Sequence, residues 1–111
     1  HLLDAFAELP VEALSLDWRT PLHVARRRLA GRVDALQGNL DPAELLGPED
    51  HVRTETLRVL REGRDGAHVM NLGHGMLPQV DPSRVQALVD TVRGYDRHAT
   101  DPAAPAAEVP T

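Results

Sequence analysis

The chain has 111 residues with 12 basic and 17 acidic side chains, a formal charge of −5, and is 41% apolar and 3% aromatic. That fits one small soluble domain or a piece of a larger one, with no apolar run near the roughly 20 residues a bilayer requires. An acidic balance without a basic, aromatic-interleaved stripe argues against nucleic acid as the ligand, and neither cysteine nor lysine occurs. Disulfides, thiolate nucleophiles, cysteine-based metal centres, lysine Schiff bases and a P-loop lysine are thereby excluded from this chain.

The first residue is His1, and helical sequence begins at once with no basic stretch and apolar run ahead of it. No signal peptide is visible, and a start in mid-element points to the tail of a longer chain. Leu2, Leu3, Phe6 and Leu9 recur at helical spacing up to Pro10. Val11–Trp18 then alternates, with Leu14 and Leu16 on one face and Val11, Ala13, Ser15 and Asp17 on the other, which predicts a strand. Thr20-Pro21 reads as an N-cap followed by proline at the first helical position. The helix it opens runs to about Gly31, with Leu22, Ala25 and Leu29 inward.

The unit then returns. Val33–Leu40 predicts a second strand and Asp41-Pro42 a second capped helix start. After a break at Gly47-Pro48, Val52, Thr56, Val59 and Leu60 line one face until Gly63. Ala67–Leu72 predicts a third strand, closed by Gly73-His74-Gly75. Asp81-Pro82 opens a last helix with Val85, Leu88, Val89 and Val92 inward. The order α-βα-βα-βα predicts an α/β fold of parallel strands joined by right-handed crossovers. From Ala99 to Thr111 five alanines and three prolines stand without apolar periodicity, the composition of a disordered tail.

Strand parity separates two sets. Leu14 and Leu16, Leu36 and Leu40, and Met70 and Leu72 suit packing against helices. Ser15 and Asp17, Gln37 and Asn39, and Asn71 fall on the alternate positions, toward the carboxyl ends where α/β sheets and barrels place ligands. The candidate site is therefore the loops after Asp17, Asn39 and Asn71. Three βα units cannot close a (β/α)8 barrel, which needs eight strands and typically about 250 residues. The sheet is thus either small and open or less than half of a barrel, and its edges are a liability if nothing covers them.

Leu16-Asp17-Trp18, Gln37-Gly38-Asn39-Leu40-Asp41-Pro42 and Asn71-Leu72-Gly73-His74-Gly75 occur in that order. With His1-Leu2-Leu3, Pro78 and the Asp81-Pro82 helix, they make residues 1 to 98 resemble the carboxyl-terminal part of the uroporphyrinogen decarboxylase family. Leu9-Pro10-Val11-Glu12 and Ser15 depart from the family pattern at a turn and a packing position. The resemblance implies the last three βα units of a (β/α)8 TIM barrel. It also implies cofactor-free removal of four acetate carboxylates from uroporphyrinogen III to give coproporphyrinogen III, in porphyrin and heme biosynthesis. A homodimer of the full-length enzyme in the cytoplasm is implied as well. The family's arginine-rich substrate loop, central aspartate, tyrosine and hydroxyl contacts have no counterparts in this chain, so the 111 residues alone are expected to be inactive.

Within the resemblance His74 is the catalytic and substrate-binding candidate. Imidazole changes protonation near neutral pH, so a histidine here can give a hydrogen bond or a proton to a substrate carboxylate. Asn71 and Arg19 are secondary candidates, the first for lining the site and the second for meeting a propionate. Asn39, Asp41 and Asp17 read as loop-fixing and helix-capping residues, Arg26-Arg27-Arg28 as a solvated helix face, and His23, His51 and His98 as surface positions. His68 and His74 lack a third ligand, so no metal and no cofactor is expected, and Gly73 and Gly75 do not have dinucleotide-loop spacing. Corrinoid-dependent methyltransferases share the barrel, but their last motif carries a cysteine where His74 stands. The reading of a different class is a stand-alone, non-catalytic α/β module that binds carboxylate or phosphate.

Overall fold

A computed structural model describes residues 2–29 and 31–97. The proposed tail and His98 lie outside the described residues. The elements are helix α1 (Leu2–Phe6), strand β1 (Ala13–Ser15), α2 (Leu22–Leu29), β2 (Ala35–Gln37), a 3-10 helix (Pro42–Leu46), α3 (Glu49–Gly63), β3 (Ala67–Val69) and α4 (Pro82–Gly94). The three strands form one parallel sheet in the order β1-β2-β3. Leu14, Leu36 and His68 stand side by side across it. Hydrogen bonding resumes beyond the strands, where Leu40 bridges Leu72.

Each strand is shorter than the alternation predicts. Regular pairing in β2 stops at Gly38, whose φ of +132° is in the region that favours glycine. The caps behave as their side chains dictate. The Asp41 carboxylate accepts from Ala43 N and the Asp81 carboxylate from Ser83 N, each at 2.9 Å. The Ser83 amide holds the Asp81 carboxyl below its usual range. Helix α2 begins one residue later than Thr20-Pro21 suggests, because the Pro21 carbonyl accepts the first helical bond, from Ala25 N at 3.0 Å.

The core lies on one face of the sheet. Leu16, Leu36 and Leu40 meet Leu22, Ala25 and Leu29 of α2, Val52 and Val59 of α3 and Ala87 of α4. The opposite face is bare: Ala13, Ser15, Ala67, Val69 and Asn71 are exposed, with Ala35 and Gln37 half covered. Val85, Leu88, Val89 and Val92 are only half buried, and Ala87 is the buried residue of α4. That helix packs against α3 and the 3-10 helix, and its apolar stripe is only half covered among the described residues. Phe6 and Leu9 are also exposed, and Ala7 takes the inward position beside Leu3. No helix among the described residues is long and apolar enough to cross a membrane.

Candidate active site at the carboxyl edge of the sheet

The three motif segments meet at the carboxyl ends of the strands, and they are locked to one another through backbone. Gly38 starts the lock. Its N–H donates to Val69 O at 3.0 Å, and a Cβ at this position would stand 2.7 Å from Leu16 O. Only glycine permits that approach with that φ. The turn swings Asn39 inward, leaving it 3% exposed. Its side-chain amide donates to the carbonyls of Asp17 at 2.8 Å and Thr20 at 2.5 Å. Asn39 is therefore the tie that holds the β1–α2 loop, and the turn at Gly38 removes it from the sheet face to which parity assigns it.

Gly73 closes the cluster. Its N–H donates to Leu40 O at 2.7 Å, and its Cα rests on the Asp17–Trp18 backbone so closely that a Cβ would overlap Trp18 N. The loop after β3 is thus seated on the loop after β1, and His74 follows immediately. The His74 imidazole is exposed and has no hydrogen-bond partner among the described residues. It is free to meet a ligand from solvent.

The secondary candidates are placed differently. Arg19 extends outward with its side chain 74% exposed, over the Trp18 ring at 5.3 Å and 3.9 Å from the Asp17 carboxylate. Asp17 also accepts from Arg19 N at 2.9 Å, fixing the turn. Asn71 is exposed, and its side-chain oxygen accepts from Leu72 N at 2.8 Å, the local bond expected of an asparagine that shapes a strand end. Gly73, the residue before His74, rests on the Asp17–Trp18 backbone, while Asn71 is exposed on the bare face.

Two residues outside the predicted site are tied to it. Arg26 is not a free surface arginine: its Nη2 donates to the carbonyls of Gly63 and Ala67, each at 3.2 Å, joining α2 to both ends of the α3–β3 turn. His68 occupies a helix-facing position of β3 and reaches the Gly38 carbonyl with Nε2 at 2.6 Å. Burial lowers the His68 pKa and the Gly38 bond opposes this, while the nearby charges of Arg26 and Arg97 reinforce the lowering. Its place in the parity pattern, with Met70 and Leu72, was the one signal of burial. No group of three or more histidine or acidic side chains among the described residues is placed to hold a metal.

A pH dependence follows for the folded protein. Burial disfavours the protonated form of His68 in the folded protein, whereas in the unfolded chain the imidazole takes up a proton below about pH 6.5. Its contribution to stability is complete above that pH and is lost as pH falls toward the lowered folded-state value. Denaturation midpoints of the complete protein between pH 7.5 and 5 should fall more steeply than those of a His68→Gln variant, which removes the titration. Parallel slopes for the two proteins would contradict this assignment.

The same segments decide the relationship to known proteins. A family model described as uroporphyrinogen decarboxylase matches residues 1–95. The chain belongs to the uroporphyrinogen decarboxylase family. It is 45% identical over 96 residues to the uroporphyrinogen decarboxylase of Neisseria meningitidis serogroup C, with 86% of the chain and 27% of that protein covered. The corresponding protein of Ralstonia pickettii is 46% identical over 100 residues, covering 86% and 27%. That of Thioalkalivibrio sulfidiphilus is 48% identical over 91 residues, covering 81% and 26%. The chain spans about a quarter of the length of these family members.

Proposed function

We propose that this chain supplies the last three βα units of a (β/α)8 barrel that decarboxylates uroporphyrinogen to coproporphyrinogen. The observation that carries the reading is the convergence of three family motifs on one edge of a parallel sheet whose other face is bare. Sheets of parallel strands are ordinarily covered on both faces. A face of Ala13, Ser15, Ala35, Gln37, Ala67 and Val69 suits the inside of a closed barrel, with the motif loops at its ligand-binding mouth.

In this reading the substrate provides its own electron sink. Protonation of a pyrrole carbon makes the ring cationic. The bond between the acetate methylene and its carboxylate then breaks, the electron pair flows into the ring, and CO2 leaves. A proton delivered to the methylene carbon makes the methyl group, and loss of the proton first added to the ring carbon restores the pyrrole. The reaction so written requires no metal or organic cofactor. His74 supplies a hydrogen bond or proton at a substrate carboxylate, and the exposed Arg19 on the loop after β1 meets a propionate. Assembly as a homodimer in the cytoplasm belongs to the same reading.

The test compares the complete protein containing this sequence with the 111 residues alone. The complete protein is expected to release CO2 from uroporphyrinogen and to accumulate coproporphyrinogen. The isolated chain should show no turnover and should aggregate through the free edges of β1 and β3. No product from the complete protein would remove the reading. A stable, soluble monomer from the isolated chain would favour the stand-alone binding module instead.

A further inference from the structure

We propose that His68 is a positioning residue for His74, acting through the Gly38–Asn39 turn and the Asp17–Trp18 backbone. The role rests on the decarboxylase reading, because it is defined by what it does for the reacting histidine. Each link is a contact on one continuous path. The imidazole lies against Gly63 at the end of α3, and its Nε2 approaches Gly38 O at 2.6 Å. A carbonyl only accepts, so Nε2 carries the hydrogen and His68 is the Nε2–H tautomer. Arg26 braces this seat by bonding the carbonyls of Gly63 and Ala67, the residues beneath and immediately before the ring.

The clamp fixes Gly38 from its second side. Its N–H is already held by Val69 O, and its Cα faces Leu16 O. With both ends of the glycine held, the next residue has one direction available, and Asn39 delivers its amide to Asp17 O and Thr20 O. Those bonds set the height of the Asp17–Trp18 backbone, the surface on which Gly73 sits directly before His74. The hydrogen bond of His68 goes to Gly38 and not to the loop of His74. Its influence on the reaction runs through this chain of contacts.

The experiment is a double-mutant cycle in the complete protein, with decarboxylation of uroporphyrinogen as the assay. His68→Phe keeps a ring but loses the donor, and kcat should fall about tenfold, because displacement of a reacting group by a fraction of an ångström costs rate on this scale. In a His74→Ala background the same substitution should change kcat less than about twofold, since the group being positioned is already gone. His68→Gln, which carries its amide nitrogen near the place of Nε2, should restore the rate to within about threefold, and His68→Asn should not.

An equal loss in both backgrounds, or no loss in either, overturns the role. Should His68→Phe fail to fold, the glutamine and asparagine variants decide it: equal rates for the two overturn the proposal. The ring nitrogens are also read directly by long-range proton–nitrogen NMR, where a protonated Nδ1 and bare Nε2 would overturn it without any assay. Absence of decarboxylation by the unsubstituted protein would remove the proposed reaction itself, a result distinct from an unaltered variant of an active enzyme.

Discussion

Replacing His74 by alanine in the complete protein is expected to lower kcat by about a hundredfold to ten-thousandfold, the range for losing a positioned proton donor. The fold should hardly notice. His74 is exposed and makes no internal hydrogen bond among the described residues, so its removal strands no buried partner. Exposed substitutions of this kind stay within about 0.5 kcal/mol in stability. A large loss of rate with an unchanged thermal midpoint is therefore the expected signature. His74→Asn separates the two chemical roles. The amide can donate a hydrogen bond to a carboxylate but cannot release and regain a proton at neutral pH. Rates near those of the unsubstituted protein for asparagine, with the loss confined to alanine, would assign orientation. Equal losses would assign proton transfer. An unchanged rate in the alanine variant would take His74 out of the site.

Much of the scaffold around this histidine was legible because it rests on local chemistry. An aspartate before proline has one good use at a helix start, and both Asp41 and Asp81 serve it. The spacing of Val52, Thr56, Val59 and Leu60 leaves a single face on which α3 can be buried. The strand leucines likewise face the helices as parity requires. What was not legible depends on neighbours distant in sequence. Phe6 and Leu9 have the pattern of core residues but remain exposed, because the described residues offer their face no partner.

Asn39 shows the same limit within the site. The alternation holds up to Gly38, where the positive φ turns Asn39 inward, while Leu40 keeps the core position that parity gives it. Arg26 stands in a run of three arginines, and nothing in the run reveals that one of them bonds carbonyls 37 and 41 residues away. His68 is by residue type a candidate metal ligand, and only its even spacing from Met70 and Leu72 carries a trace of burial. Long-range backbone contacts leave no periodic trace, and this site is built from them.

The two glycines beside His74 carry that argument to its sharpest consequence. In the sequence they are equivalent, one on each side of the histidine. In the structure a Cβ on Gly75 meets nothing within 4 Å, whereas a Cβ on Gly73 would overlap Trp18 N and stand 2.9 Å from the Asp17 carbonyl carbon and Trp18 Cα. The obstructing atoms are backbone, so no side-chain rotation relieves the clash. Gly73→Ala must lift its loop off the Asp17–Trp18 seat or push that loop away, breaking the Leu40 contact or straining the Asn39 bonds. Overpacking against such an unyielding surface costs about 3 kcal/mol. The accompanying shift of His74 should lower kcat about a hundredfold. Gly75→Ala should stay within about 0.5 kcal/mol in stability, with kcat close to that of the unsubstituted protein. Thermal denaturation and steady-state rates of the two variants, measured side by side in the complete protein, check the pair. If Gly73→Ala were as stable and as active as Gly75→Ala, the loop of His74 would not be seated on the first strand's loop, and the interlocked edge described above would be wrong.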